Sequence, residues 1–290
     1  MSQLCSLLGY SRQAFYGYVQ HHSTAMLEEE LVVQQVLLHR SLQPRIGTRK
    51  LMVLLQDFMG KHHISLGRDA LFGLLRENGL LVRRRKTRVQ TTFSKHRFKR
   101  YRNLIRDYVP LAANCLWVSD ITYLEVAGAF AYLSLITDAY SKKIVGYHLS
   151  KSLQADGTVK ALQMALGHCK DTGGLIHHSD RGIQYCCNEY IALLTKHSIK
   201  VSMTEKGDPL ENAVAERVNG ILKQELLQQP YPCLVSAEKG VAKAVLVYNA
   251  LRPHSSCDML TPQLAHEETG ALKKHWKNYY KKKEVTMDGT

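Results

Sequence analysis

Paired cysteines are missing from this chain. Its seven cysteines (Cys5, Cys115, Cys169, Cys186, Cys187, Cys233 and Cys257) are scattered, odd in number and never in CxxC spacing. That pattern supports neither a zinc ribbon nor a disulfide framework. Long apolar runs are also absent, and no stretch approaches the eighteen or so residues of a membrane span. The opening MSQLCSLLGYSRQAF has no basic region followed by an apolar core, so it does not read as a signal peptide. No heptad repeat marks a coiled-coil interface. The expected location is cytoplasmic, with no membrane partner.

Positive charge is present and unevenly placed. The 290 residues carry a net charge of +14, with ordinary hydrophobic (45%) and charged (22%) fractions that argue against wholesale disorder. Residues 1–110 hold 19 Lys and Arg against 7 Asp and Glu, whereas residues 111–290 hold 20 against 18. A basic first part of this kind suits a polyanionic partner, most simply nucleic acid.

The N-terminal part reads as helical. Leu4, Leu7 and Leu8 share a face that Gly9 ends, and Ser11 is placed to cap a short helix from Arg12 to Val19, giving a weak helix-turn-helix pattern over 1–22. Residues 25–42 form the clearest amphipathic helix, broken by Pro44. TRKLMVLLQDFM follows, then SLGRDALFGLLREN with Ser65 as a cap and Gly79 as a stop. The basic run Arg83, Arg84, Arg85 and Lys86 comes directly after. This outline fits a winged helix-turn-helix over 25–90 whose recognition helix begins at Arg68. It fits a plain three-helix bundle with a solvated basic tail as well. Residues 91–112, where Lys and Arg alternate with aromatics, read as a basic linker.

From Cys115 the periodicity changes. LWVSDITYLEV, AFAYLSLITDAY and KKIVGYHLS predict three antiparallel strands. The order β-β-β-α-β-α-β-α then predicts one α/β core with a mixed sheet over 113–229. A helical C-terminal region with a basic tail occupies 230–290.

Three acids punctuate that core. Asp120 ends LWVSD, Asp180 ends the apolar LIHHSD, and Glu216 lies on the helix NAVAERVNGILKQELL, with 35 residues between the last two. Carboxylates held by separate elements suit two magnesium ions, which take a few carboxylate oxygens and leave other positions to water and phosphate. On the Glu216 helix the same face carries Asn212, Gly220 and Lys223. Asp138 ranks second as a rival acid, because hydrogen bonding to a turn backbone is its commoner task.

WVSDITYL, HSDRGIQY and NAVAERVNGILKQEL, at these separations, resemble the retroviral-integrase-like catalytic core of insertion-sequence transposases. The likeness is to the second-reading-frame product of the copy-out-paste-in group. YNALRPHSS with Thr261-Pro262 resembles that group's C-terminal signature, with Cys257 standing where a leucine is usual. The resemblance implies a ribonuclease-H-like fold with Asp120, Asp180 and Glu216 as the catalytic, metal-binding triad. It implies two Mg2+ ions, with Mn2+ as a substitute, and a DNA contact from Lys223. The activity implied is strand cleavage and strand transfer at element ends, followed by integration into target DNA. A nuclease without joining activity and a non-enzymatic DNA-binding regulator are the alternatives. Double-stranded DNA, a second copy of the chain and an upstream reading-frame product are the partners implied, with the nucleoid as location. His178 has two readings, placing metal or DNA, or packing in the core. Asn212 reads as a support for the acids or as a helix cap. Arg252 and His254 either meet DNA, brace the catalytic helix, or end a helix against the core.

Overall fold

The computed structural model describes residues 9–82, 101–205 and 212–275, together with Cys5, Leu7 and Lys99. The chain divides into two compact units, Met1–Thr87 and Arg88–Thr290. Among the described residues no helix is long and apolar enough to cross a membrane.

The first unit is helical. Its helices are α1 (Arg12–Leu42), α2 (Thr48–Lys61) and α3 (Arg68–Glu77). Ser11 caps α1 as its side chain suggests, accepting from the Ala14 amide. The helix does not stop at Val19, however. With no proline between Ser11 and Pro44, it runs unbroken past the Ser23-Thr24 pair at which two modules were expected to part. The first expected helix, before Gly9, lies largely outside the described residues. Val32, Val36, Leu51, Leu55, Leu71 and Leu75 form the buried centre of the unit. Helix α3 begins one residue after Gly67, which carries no side-chain cap bond, so Ser65 does not cap it. Its end is as expected: Gly79 has φ +66°, a conformation that glycine adopts without strain. The basic run Arg83–Lys86, linker residues 91–98 and 100, and the lysines from Lys277 onward lie outside the described residues.

The second unit is built on a five-stranded sheet. β1 (Leu116–Val126), β2 (Ala129–Asp138) and β3 (Ile144–Ser150) are antiparallel neighbours, as alternation and short turns predict. The β1–β2 turn has Ala127 at φ 51° and Gly128 at φ 76°, the two positive values that match the twist of a tight hairpin. After α4 (Asp156–His168), β4 (Ile176–Ser179) returns parallel to β1, followed by α5 (Ile183–Cys186), α6 (Asn188–Lys196) and β5 (Lys200–Met203). The spatial order is β3-β2-β1-β4-β5. Helix α7 (Ala213–Ile221) continues into a π-helical turn, Leu222–Leu226. Helices α8 (Leu234–Leu251) and α9 (Pro262–Ala265) complete the described chain.

Both faces of the sheet are covered, which explains why its central strands read as near-continuous apolar runs. One face packs Trp117 and Ile136 against α4, α5 and α6 through Val159, Leu162, Tyr185 and Tyr190. Gly146 lets α4 lie directly on β3, since a Cβ there would collide with the Ala161 carbonyl oxygen. The other face packs Leu124, Leu133 and Leu135 against Val218, Ile221, Leu222 and Val245 from α7, the π-turn and α8. Mixed sheet, strand order and paired helical layers make this a ribonuclease-H-like α/β core.

Candidate active site

Strand register brings two of the three acids together. β1 and β4 pair in parallel with Val118 opposite His178. Two residues further along the same register, Asp120 comes level with Asp180, just past the C-terminal end of β4. Side chains two apart share a face, and the face of Val118 is the one that Ala215 of α7 packs against. Glu216 follows Ala215 in the first turn of α7.

Electrostatics record the same proximity. The Asp120 carboxyl is pushed up to about 7, first by burial and then by the negative charge of Asp180, with Glu216 adding a smaller push. Two hydrogen bonds pull the other way: Asn219 Nδ2 donates to Oδ2 at 2.7 Å, and the Ile121 amide donates to Oδ1 at 2.9 Å. Asp180 accepts from the Gly182 amide at 2.9 Å. A Cβ at Gly182 would lie 2.9 Å from Asp180 Oδ1, so a larger residue there would displace the carboxylate. Burial raises the Glu216 carboxyl as well. Lys223, in the π-turn, holds its Nζ 4.4 Å from the centroid of the Tyr123 ring. Burial lowers its ammonium while the charge of Asp120 pulls it back up.

Among the described residues no three His, Cys, Asp or Glu side chains approach closely enough to hold one ion between them. The donor set nevertheless fits hard divalent cations. Its groups are carboxylate oxygens, their mutual repulsion leaves the site short of positive charge, and Asp120 senses both other acids. A pair of ions needs only two carboxylates each.

The other expected residues divide clearly. Asn212 is buried and does not cap α7; its Nδ2 donates to the Ser119 carbonyl at 3.0 Å, fastening the start of α7 beside Asp120. His178 is fully buried, with Nδ1 2.8 Å from Ser202 Oγ, so it packs in the sheet. His254 is buried and accepts from the Ser256 amide. Arg252 is 1% exposed and donates through Nε and Nη2 to both carboxylate oxygens of Glu225, at 2.8 and 2.9 Å. Its guanidinium braces the π-turn from the end of α8 and is not presented to DNA, a correction to the DNA-contact reading. Asp138 is fully buried and accepts from the Asn114, Tyr140 and Ser141 amides and from Ser141 Oγ, so it organises the β2–β3 turn. Arg68 stands exposed at the first position of α3, paired with Asp69 at 2.8 Å.

Asn219 is the residue that spacing from Glu216 at i−4, i+4 and i+7 passes over. It lies at i+3, which is equally close on a helix surface, and an amide there can reach a strand carboxylate. Most of the GDPLEN turn that precedes α7 lies outside the described residues.

Models of the integrase core domain match residues 110–209 and 197–262. A 31 kDa protein of insertion element IS600 from Shigella sonnei is 32% identical, over 91% of this chain and 98% of that one. The transposase for insertion sequence element IS986/IS6110 of Mycobacterium tuberculosis is 30% identical, over 74% of this chain and 79% of its own. Transposase InsF for insertion sequence IS3A of Escherichia coli is 32% identical, over 65% and 67%.

Proposed function

This chain belongs to the insertion-sequence transposases of the second-reading-frame type with an integrase core domain, and on that footing we propose that Asp120, Asp180 and Glu216 are its catalytic triad. The enzyme is a DNA transposase, a polynucleotidyl transferase acting on phosphodiester bonds. The observation that carries the triad is the parallel β1–β4 register, which sets Asp120 level with Asp180 on the face that α7 packs against.

The three carboxylates would hold two Mg2+ ions. When bound, these supply positive charge to the phosphate oxygens and acidify the attacking water or DNA 3′-hydroxyl. Asn219 keeps the Asp120 carboxylate oriented through its 2.7 Å bond. Asn212 holds the start of α7, and with it Glu216, against β1. Lys223 offers a cation beside Asp120 for a DNA phosphate near the cut. No protein nucleophile is needed, because water cleaves and the liberated DNA hydroxyl joins.

The DNA partners are the element ends and a target duplex. Holding two ends on one target calls for at least a dimer, and an upstream reading-frame product is a further partner. α3, opening with exposed Arg68, would read the ends, with Arg83–Lys86 adding phosphate contacts. His178 and His254, both buried, would serve by packing. The test is incubation with labelled element ends, scoring nicking and joining separately. Both should appear with magnesium and vanish with a chelator. Nicking without joining would reduce the protein to a nuclease, and metal-independent nicking would end the two-ion reading.

A further inference from the structure

Beyond Ser134 no described helix covers the sheet face that carries α4, and Phe130 there is exposed. Gly157, in the first turn of that helix, sits over Ser134 and Ser150, with its Cβ position 3.5 Å from Ser134 Oγ and 3.3 Å from Ser150 Cβ. Further toward the β1–β2 turn the same face carries Tyr123, Tyr132 and Phe130. Tyr123 is directly opposite Tyr132, and Phe130 is directly opposite Glu125, so register alone puts the three rings side by side. Tyr123 and Phe130 meet edge to face, with centroids 5.3 Å apart and planes at 68°. Phe130 is 57% exposed. A strand position facing water normally carries a polar residue, and an exposed aromatic is an opportunity for contact with something flat and apolar.

Lys223 joins this patch to the acids. Its Nζ lies over the Tyr123 ring at 4.4 Å, and Asp120 lies three residues before Tyr123 on the same strand. Tyr123 and Asp120 lie on opposite faces of β1, but between Val118 and Val126 the β4 side of that strand carries no ladder pairing among the described residues, and Lys223 reaches the Tyr123 ring at that edge. A cation over an aromatic face, three residues along β1 from Asp120, matches the two parts of a nucleotide.

We propose that Tyr123 and Phe130 form a stacking platform for an unpaired nucleobase next to the scissile phosphate, with Lys223 on the adjoining phosphate. The inference rests on the triad reading above and deepens it. An unpaired base at the cut gains a π-face to replace the one it loses on leaving the duplex, which holds the strand end open for attack. The occupant is a base rather than a protein segment, because the platform borders the site where DNA must lie and carries a cation on its inner side.

The experiment compares element-end duplexes that are intact, or abasic at either nucleotide flanking the cut, binding to the full chain in a chelator. Wild-type protein should bind an abasic end about tenfold more weakly than the intact one, on the scale of one base–aromatic stack. Phe130→Ser, at an exposed position, and Tyr123→Leu, which keeps an apolar side chain, should each bind both DNAs alike, at the wild-type abasic level. Equal wild-type affinity for intact and abasic ends overturns the platform, and so does a variant that weakens both DNAs by the same factor. Because binding is read without metal, failure of magnesium-dependent nicking would count against the triad alone.

Discussion

The two units treat charge in opposite ways. In the N-terminal unit the core is aliphatic, drawn from Val32, Val36, Leu51, Leu55, Leu71 and Leu75. An ion pair there, Arg68 with Asp69, has side chains 59% and 83% exposed. The second unit takes charge inside: Asp138 and Arg252 are essentially inaccessible, and Asp120 is pressed by burial and by two neighbouring acids. Exposed charge is screened by salt and interacts weakly at any one position, which suits graded contact with a polyanion. Desolvated charge interacts strongly and tolerates little displacement, which suits chemistry at one phosphorus atom.

The contrast is broken most severely at Asp120. Asp120→Asn keeps the volume and the Asn219 contact but removes a charge that two cations would share. Strand cleavage and joining should fall on the order of a thousandfold or more. Binding of element ends in a chelator should hold, since recognition lies with exposed groups. Strand transfer that survives the change would falsify the two-ion reading.

Arg252 comes next, as a test of stability. Its guanidinium forms both halves of a fork with Glu225, whose side chain is 19% exposed, and removing one partner of such a pair strands the other. Arg252→Ala should lower unfolding free energy by about 3–5 kcal/mol, read from denaturant midpoints. An apolar pair at Arg252 and Glu225 should recover part of that loss. If the single variant is as stable as wild type, the pair does not brace the π-turn.

How much of this was legible beforehand follows the same divide. The proposed triad of Asp120, Asp180 and Glu216 is carried by the family resemblance. The three strands and the turn-binding role of Asp138 follow from local pattern, because alternation and turn chemistry act over a few residues. The burial of Arg252 does not. Its partner lies 27 residues earlier on another element, and a basic side chain ending a helix looks the same whether it faces DNA or a carboxylate. Asn219 was within reach at i+3 of Glu216, but only the packing of α7 on β1 singles it out. The unbroken α1 differs from the expected break between residues 22 and 25 for the opposite reason: no proline and no terminating glycine stands there to end the helix.

A smaller test uses the pH response. His177 is fully buried, with Nε2 2.6 Å from Ser119 Oγ and 2.8 Å from Tyr190 OH. Burial, with a lesser push from His178, lowers its imidazole to about 3 from an ordinary 6.5. The unfolded chain therefore binds the extra proton first. This contribution is complete above about pH 6.5 and is lost as pH falls toward 3, at up to about 1.4 kcal/mol per unit. Asp120, raised to about 7, has the opposite sign, so total stability against pH mixes the two. The difference between wild type and His177→Gln at each pH isolates the histidine. It should shrink steadily from pH 6.5 to pH 4.5, and a constant difference would mean that His177 is not held neutral.

The smallest effect belongs to the exposed unit, and its form matters more than its size. Arg68 opens α3 with Nε and Nη2 turned to Asp69, at 2.8 and 3.1 Å, which leaves the other edge of the guanidinium for a phosphate. If unit one works by screened, graded contacts, Arg68→Ala should weaken binding to element ends and to unrelated duplexes by the same factor. The slope of log affinity against log salt should fall by about one ion. Asp69→Ala should act in reverse, strengthening both slightly by removing a competing carboxylate. A loss confined to element ends, with the salt slope unchanged, would instead put Arg68 on a base edge. The contrast between the units would then shift, because part of the first unit's charge would be working at fixed geometry, as the buried charges of the second unit do.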